Sequence, residues 1–233
     1  MELYYQPELP ESGQFTIDAE EAQHMLKTRR HRAGDAVQLT NGKGLLLTAR
    51  LMQADTKHCT AQVVNSEKYA LLQPAIHLAV SPLKQEARFE WVIEKAVEMG
   101  VHSIIPLLCE RTEKVFLKQA RLERLMVAAL KQSLKFYLPR LYTPMKLSDW
   151  LLQAPGQRLF AHCHPGEKQI IGPQQAAAEM SLFIGPEGDF TEEEVLLAQN
   201  AGAIALSLGE SRLRTETAAL VAMSQAHHAY LLK

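Results

Sequence analysis

The chain has 233 residues, of which 47% are hydrophobic and 22% charged, and its formal net charge is −1. This length fits one large domain or two small ones, with enough apolar material for a sizeable core. The balanced charge excludes a generally basic nucleic-acid binder. Any contact with RNA therefore has to come from a local basic patch.

The sequence predicts a cytoplasmic protein with no membrane association. It contains no run of 18 apolar residues that could span a bilayer. Its first residues have neither the basic nor the apolar region of a secretory signal. The three cysteines, Cys59, Cys109 and Cys163, are widely spaced and form no CxxC pair. We therefore expect reduced thiols, with no disulfide and no metal site.

Residues 1–72 are predicted to form a compact β-barrel with one helix. NGKG, residues 41–44, separates two apolar runs and is typical of a hairpin. Residues 57–69 alternate between apolar and polar side chains, which indicates another strand. The stretch 18–27 predicts a single short helix, with Asp18 or Thr16 near its N-cap.

Residues 73–233 are predicted to form an α/β domain. Short apolar strands alternate with amphipathic helices, a pattern typical of a parallel sheet. One such helix is predicted over residues 87–100, and residues 203–209 (AIALSLG) are predicted to be the last strand. The apolar face of the helix consists of Phe89, Val92, Ile93, Ala96 and Val97.

Three of the predicted strands end in loops that indicate a shared binding pocket. The loops follow RLFAHC, FIGP and LSLG, at residues 158–163, 183–186 and 206–209. In an open α/β sheet, ligands bind beyond the carboxyl ends of the strands. Glycines such as Gly185 and Gly209 let the backbone turn sharply or approach a ligand closely.

The residues around these loops disfavour a phosphate-bearing ligand. Neither GxGxxG nor GxxxxGK[ST] is present. The helix after GPEGDF begins with Thr191 as N-cap and Glu194 completing a capping box. A phosphate there would meet five carboxylates, those of Glu187, Asp189, Glu192, Glu193 and Glu194. S-adenosylmethionine (AdoMet), which has a sulfonium and no phosphate, suits this charge better, although the glutamates also complement the helix dipole.

Four motifs in chain order resemble one enzyme family. They are HMLKTRRHRAGD (residues 24–35), the segment ending in CERT (residues 82–112), FIGPEGDFTEEE (residues 183–194) and LSLGESRLRTETA (residues 206–218). Together they resemble the 16S rRNA uridine-N3 methyltransferases, often called RsmE, of the SPOUT (α/β-knot) superfamily. The resemblance covers nearly the whole chain.

The resemblance implies a two-part architecture and a set of partners. It implies a C-terminal SPOUT domain with a deep trefoil knot, in which helices cover both faces of a parallel sheet. Such knots are rare exceptions among protein folds. It also implies an N-terminal PUA-like β-barrel that contacts RNA, AdoMet as cofactor, a homodimer, and 16S rRNA of the small ribosomal subunit as substrate.

Arg214 and Glu216 are the predicted catalytic residues. Uridine N3 must lose its proton, and the negative charge then spreads to O2 and O4. A fixed cation such as Arg214 stabilises that charge as it develops. Glu216 orients Arg214 or accepts the proton; alternatively, Arg214 simply pairs with Glu216 or Glu210, and Glu216 is ordinary helix charge.

Cofactor contacts are predicted mainly for the glycine loops, and RNA contacts for the basic residues. The predicted cofactor-binding residues are His162, Ile184, Gly185, Pro186, Glu187, Gly188, Leu208, Gly209, Leu213, Thr217 and Ala218. The predicted RNA-binding residues are Lys27, Arg29, Arg30, Arg32, Arg111, Lys131 and Lys135. The last two could equally be solvent-exposed lysines. The pair His162 and His164 has no further ligand at metal spacing, so we expect no metal there.

Three other functions stay open. A SPOUT enzyme could methylate another RNA position, such as a ribose 2′-oxygen. A non-catalytic small-subunit RNA-binding protein could retain the fold, although the intact glycines, Arg214 and Glu216 argue against it. A nucleotide-dependent oxidoreductase is disfavoured because the phosphate-binding loop is missing.

Overall fold

The computed structural model describes residues 2–56, 58–113 and 117–233, which divide into two compact units. The first unit contains the chain up to Leu71 together with Val127–Leu138, and the second contains Leu72–Met126 and Pro139–Lys233. The sequence placed residues 127–138 in the second domain. They join the first unit through contacts distant in sequence, such as the Gly44 N–H donating to the Phe136 carbonyl at 2.8 Å.

The first unit is built on a five-stranded sheet in the order β1-β3-β4-β5-β2. The predicted hairpin at NGKG joins β3 to β4, and the Asn41 side chain accepts the Lys43 and Leu45 N–H groups at 2.8 and 3.2 Å. β1 is parallel to β3, and the other neighbours are antiparallel. The strands are β1 (Leu3–Tyr5), β2 (Gln14–Thr16), β3 (Ala36–Thr40), β4 (Leu45–Ala54) and β5 (Cys59–Lys68). Lys57, predicted to begin the last of these, lies outside the described residues.

The helix of the first unit differs from the single α-helix predicted. It begins as α1 (Ala19–Gln23) and continues as a π-helical turn, His24–Thr28. Asp18 makes no side-chain cap bond; its backbone N–H donates to the Gln6 side chain at 3.0 Å instead. Hydrophobic spacing does not distinguish a π-turn from an α-turn, because both bury one side of the helix.

The second unit is built on a seven-stranded sheet in which every neighbouring pair is parallel. Its order is β12-β10-β11-β6-β7-β8, and β9 also pairs with β7. The central strands are buried along nearly their whole length, as expected of a parallel sheet covered on both faces. The strands are β6 (Ala75–Val80), β7 (Ser103–Leu108), β8 (Arg140–Leu141), β9 (Met145–Lys146), β10 (Gln157–Ala161), β11 (Glu179–Ile184) and β12 (Ile204–Ala205).

Five helices accompany this sheet. The predicted apolar face of α2 is entirely buried, and α2 packs with α6 over the central strands. α4 and α5 share a core with the side chains of Phe160 and Phe183. Among the residues that the structure describes, no helix is long and apolar enough to cross a membrane. The helices are α2 (Glu86–Glu98), α3 (Gln119–Gln132), α4 (Leu147–Gln153), α5 (Glu192–Asn200) and α6 (Thr215–Leu231).

Two histidines at the amino ends of the central strands make stability depend on pH. Burial lowers the pKa of His77, partly opposed by Glu179. Burial also lowers the pKa of His102, and the neighbouring rings of His77 and His227 lower it further. The unfolded chain therefore binds protons on these rings more readily than the folded chain. Their contribution to stability is complete above about pH 6.5 and is lost as the pH falls toward the lower folded-state values.

We therefore expect the free energy of unfolding to fall between pH 7.5 and 5.5, as measured by urea denaturation. His102→Gln should flatten this dependence, because the substituted side chain does not titrate. The exposed substitution His228→Gln is the control and should leave the slope unchanged. An unchanged slope in His102→Gln would contradict the assignment.

Candidate active site

The loops predicted to share a pocket line one cleft of about 1080 Å³ at the carboxyl ends of the strands. A fourth wall is added by Gln85 and Arg88, which follow β6. Arg214 lines the cleft, whereas Thr217 and Glu216 are outside its lining. The predicted cofactor-binding residues that do line it are His162, Ile184, Gly185, Pro186, Glu187, Gly188, Leu208, Gly209, Leu213 and Ala218.

The GPEG loop after β11 is closely packed at both of its glycines, most tightly at Gly185. A Cβ on Gly185 would lie 2.9 Å from the Phe190 ring, and one on Gly188 would lie 3.3 Å from the Arg111 side chain. Arg111 donates from Nη1 to the Gly188 carbonyl at 2.8 Å. Arg111, predicted to contact RNA, thus supports the backbone of the cleft wall.

Asp189 links the GPEG loop to the loop after β10. Its Oδ2 accepts the backbone N–H of Cys163 at 2.8 Å, and its Oδ1 accepts that of Phe190 at 2.9 Å. Its φ is +63°, in the left-handed region that few residues other than Gly, Asn and Asp adopt. The carboxylate therefore holds two walls of the cleft together from a strained backbone position.

The third loop leaves the sheet earlier than predicted and is held on both sides. Only Ile204–Ala205 pairs as a strand, not the whole of residues 203–209. Leu206 N–H then donates to the Phe160 carbonyl at 2.9 Å, while Ser207 N–H donates to the Gln169 carbonyl at 2.9 Å. This segment thus runs between β10 and the loop that follows β10. The next turn uses Gly209 at φ +112°, where a side chain is strained whatever the space.

The electrostatic character of the cleft is mixed, not acidic. Of the five carboxylates predicted to meet a ligand, only Glu187 and Asp189 line the cleft. Thr191 and Glu194 form the predicted capping box, with bonds of 2.9 and 3.2 Å. That helix therefore uses its glutamates locally. Cations also line the cleft, namely Arg88, Arg111, Lys168, Arg212 and Arg214.

Glu216 is paired with Arg88, not with Arg214. Arg88 donates to both carboxylate oxygens of Glu216, at 2.9 and 2.5 Å. Burial opposes ionisation of Glu216, but the hydrogen bonds from Arg88 and the backbone outweigh it and lower the pKa of this carboxyl. Within the described parts of the chain, no hydrogen bond or ion pair involves the Arg214 side chain, which is exposed.

His162 presents two polar atoms without partners. Both ring nitrogens are buried, and neither has a hydrogen-bond partner among the described residues. Burial lowers the pKa of His162, and the nearby Lys168 lowers it further. The ring is therefore neutral at pH 7. No group of three or more His, Cys, Asp or Glu side chains in residues 2–56, 58–113 and 117–233 could hold a metal ion.

The basic segment predicted to contact RNA divides into free and paired cations. The Arg29 guanidinium is 2.5 Å from Glu2, so its charge is partly neutralised. Lys27, Arg30 and Arg32 are exposed, and their side chains have no ion-pair partner in the part of the chain that the structure describes. Arg30 also has φ +61°, a strained conformation of the kind that often marks functional positions.

Lys131, in the last turn of α3, and Lys135, just after it, were both predicted to contact RNA but are not equivalent. Lys131 is 2.6 Å from the carboxylate of Glu21, whose side chain is only 9% exposed. This lysine is therefore engaged inside the first unit. Lys135 is half-buried, and no side-chain partner is found for it among the described residues.

Sequence reasoning missed Arg88, Lys168 and the bridging role of Asp189. Arg88 stands in the first turn of α2, directly after the strand β6. This is the same strand–loop–helix arrangement that drew attention to the glycine loops. No glycine follows β6, so the glycine pattern did not identify Arg88. Such a pattern reports backbone geometry and not the charges around a pocket.

Comparison with known protein families agrees with this geometry. Residues 71–227 match the family described as RNA methyltransferase domain, and residues 17–64 match the RNA methyltransferase PUA domain. The chain belongs to the RNA methyltransferase family. The predicted enzyme class and fold class are thereby confirmed.

Individual relatives extend over nearly the whole chain. A protein of Rickettsia conorii named ribosomal RNA small subunit methyltransferase E is 26% identical over 96% of this chain and 93% of its own. A probable rRNA methyltransferase from Porphyromonas gingivalis has a TM-score of 0.91 and 35% identity, covering 100% of this chain and 99% of its own. The methyltransferase E of Neisseria gonorrhoeae, solved with bound AdoMet, has a TM-score of 0.84 and 27% identity, covering 98% and 97%.

In this RNA methyltransferase, the Asp189 link predicts an ordered series of stabilities. Asp189→Asn tolerates the positive φ but keeps only one of the two acceptor oxygens, so we expect a loss of about 1 kcal/mol. Asp189→Gly keeps the backbone conformation but loses the acceptor, and should cost about 1–2 kcal/mol. Asp189→Ala loses the acceptor and strains the backbone, and should cost about 2–3 kcal/mol.

Urea denaturation at pH 7.5 measures this series. The Asn variant is the matched control, since it removes the charge and one of the two hydrogen bonds but preserves the backbone conformation. Equal stabilities for the Gly and Ala variants would show that the backbone at Asp189 is not strained.

Proposed function

We propose that the protein methylates N3 of a specific uridine in 16S rRNA of the small ribosomal subunit, with AdoMet as methyl donor. The observation that carries the proposal is the position of Arg214 in the cleft. Its guanidinium lies in the cleft formed by the three strand-end loops, exposed and without an ion-pair partner among the described residues. The names of the relatives from Rickettsia and Neisseria support small-subunit rRNA as the substrate.

The residues of the cleft fit AdoMet. Ile184, Leu206 and Leu208 provide apolar surface for an adenine ring, and half-buried His162 supplies unpartnered ring nitrogens beside it. The carboxylate of Glu187 lies on the same wall and suits a positive sulfonium. AdoMet supplies the activated methyl group, so the chain itself has to position and polarise the base.

Arg214 is proposed to stabilise the uracil ring as N3 loses its proton. The ring then carries negative charge on O2 and O4, and a guanidinium presents several N–H donors to such oxygens. An arginine already paired with a carboxylate would lose much of this effect. Arg214 is free of such a partner in the described structure, as the role requires.

Glu216 enters the proposal as a residue next to Arg214, not as a general base. Its carboxyl has a lowered pKa and both of its oxygens accept hydrogen bonds from Arg88. A carboxylate in that state is a weak proton acceptor. The proton of N3 is therefore proposed to leave to water.

RNA binding is proposed to centre on Lys27, Arg30 and Arg32, whose charges are available. Arg29 and Lys131 are proposed to contribute less, since Glu2 and Glu21 already partner them. Lys135 and Arg111 remain candidate contacts. The division into an RNA-binding domain, residues 1–72, and a methyltransferase domain, residues 73–233, is proposed with them.

The proposal includes a trefoil knot, a homodimer and a cytoplasmic location. The passage of Leu206 and Ser207 between Phe160 and Gln169 supports a threaded chain. The dimer and the location rest on the family resemblance and on the proposed ribosomal substrate. A knot requires a long segment through which another part of the chain passes. Residues 162–178, between β10 and β11, are proposed to form that segment.

The first test is cofactor binding. We expect calorimetry to detect AdoMet binding by the wild-type protein, with NAD giving no heat. Gly209→Val should abolish binding, because a β-branched residue at φ +112° displaces the loop. Gly13→Val is the matched control: it also has positive φ and open space, but it lies in the first unit, outside the cleft lining.

The second half of this test is product analysis. Wild-type protein, AdoMet and unmethylated 30S subunits should yield N3-methyluridine in digested 16S rRNA. Methylation of a ribose oxygen would instead support the alternative SPOUT activity. Absence of AdoMet binding, both alone and with 30S subunits, would refute the methyltransferase proposal.

The RNA contacts can be tested with a matched pair of neighbouring arginines. Arg30→Gln should weaken 30S binding about three- to tenfold at low salt and lower the salt dependence, because one phosphate contact is lost. Arg29→Gln should have a smaller effect, since Glu2 already partners that charge. Equal losses in a filter-binding titration would contradict this assignment.

A further inference from the structure

Arg88 connects three segments at the carboxyl ends of the sheet. It stands in the first turn of α2, and its fork holds Glu216 in the first turn of α6. Its Nη1 is also 3.6 Å from the carboxylate of Glu187 in the GPEG loop. Glu187 in turn accepts the backbone N–H of Lys84 at 3.3 Å. One guanidinium thus holds the start of α6 and the GPEG loop to the segment after β6.

Glu216 has two arginines within its electrostatic reach. Arg88 makes the bidentate contact, but the charge of Arg214 also contributes to lowering the pKa of Glu216. Arg214 and Glu216 are only two positions apart at the start of α6. The bidentate fork geometry favours Arg88, since two parallel hydrogen bonds are made at once. The carboxylate is thereby committed, and Arg214 is left unpaired.

The Arg88–Glu216 pair is protected from solvent more than a surface pair. The two side chains are 25% and 15% exposed. Solvent screens the attraction between two partly buried charges less than that between exposed charges. Removing one partner is therefore unfavourable for the charge that is left. A Glu216 carboxylate without Arg88 would be partly buried and uncompensated. The other arginine whose charge acts on Glu216 is Arg214.

We propose that Arg88 is a positioning residue that occupies Glu216 and so keeps the guanidinium of Arg214 available for the substrate base. This inference rests on the proposed role of Arg214. In it, Arg88 does not contact the reacting atoms. It acts by deciding which of two arginines the carboxylate binds.

A double variant distinguishes this positioning role from a purely structural one. Arg88→Met removes the guanidinium while keeping an unbranched side chain, and Glu216 should then pair with Arg214. Adding Glu216→Gln removes the competing charge, and Arg214 should become free again. A second change in the same pocket should therefore restore function, which a purely structural role for Arg88 does not predict.

The first measurement does not depend on activity. Phenylglyoxal modifies free guanidinium groups, and mass spectrometry of tryptic peptides can follow the rate at Arg214 in each variant. Arg88→Met should slow modification roughly two- to fivefold, as expected for capture in a partly exposed ion pair. Arg88→Met/Glu216→Gln should return the rate to that of the wild type.

The second measurement is steady-state methylation of 30S subunits. Arg88→Met should lower kcat about ten- to a hundredfold, because the charge facing the base is neutralised. The double variant should recover much of that loss. Arg88→Lys should lie between the wild type and Arg88→Met, since lysine keeps the charge but not the fork.

A matched control is the ion pair between Arg121 of α3 and a glutamate of α2. Arg121 makes the same kind of two-bond contact with Glu90 of α2, outside the cleft lining. Arg121→Met should leave both the Arg214 modification rate and methylation unchanged. Circular dichroism and thermal melts would show whether each variant is folded. Where Arg88→Met does not fold, Arg88→Lys and its combination with Glu216→Gln provide the comparison.

Two outcomes separate failure of this inference from failure of the proposed function. An unchanged Arg214 modification rate in Arg88→Met, or a double variant no more active than the single one, overturns the role of Arg88 while wild-type methylation stands. A wild-type protein that does not methylate refutes the proposed function, and the modification rates still decide whether Arg88 controls the pairing of Arg214.

Discussion

The site depends on the backbone hydrogen bonds that hold Leu206 and Ser207 between Phe160 and Gln169. They hold the chain after Ala205 beside β10 on one side and beside the loop that follows β10 on the other. The loops after β10, β11 and β12 therefore meet in one cleft, and α6 begins beside it.

Charge pairing decides which of the many arginines and lysines are available. Glu216 binds Arg88 and leaves Arg214 exposed in the cleft; Glu2 binds Arg29, whereas Arg30 has no such partner in the described structure. The same principle operates in the cleft and in the basic segment, residues 27–32. A count of positive charges would miss it, since a paired cation offers little to an incoming anion.

Much of the architecture could be predicted from local patterns. The NGKG hairpin, the buried face of α2 and the Thr191 capping box depend on residues close in sequence, and each is observed. The glycine loops also indicated the cleft, because ligands bind where parallel strands end. The errors fell where distant residues decide: the π-turn at His24–Thr28 and the short β12.

The sequence by itself determined the alternation of strands and helices, the loops that line the cleft, and the family to which its four motifs belong. These features follow from residue periodicity, glycine placement and short-range capping, which are all local. Only the tertiary structure decided that Glu216 binds Arg88, that Asp189 joins two cleft walls, and that Arg214 stays unpaired. The reason is physical: an ion pair forms between the charges that folding brings within a few ångströms, and Arg88 and Glu216 are 128 positions apart.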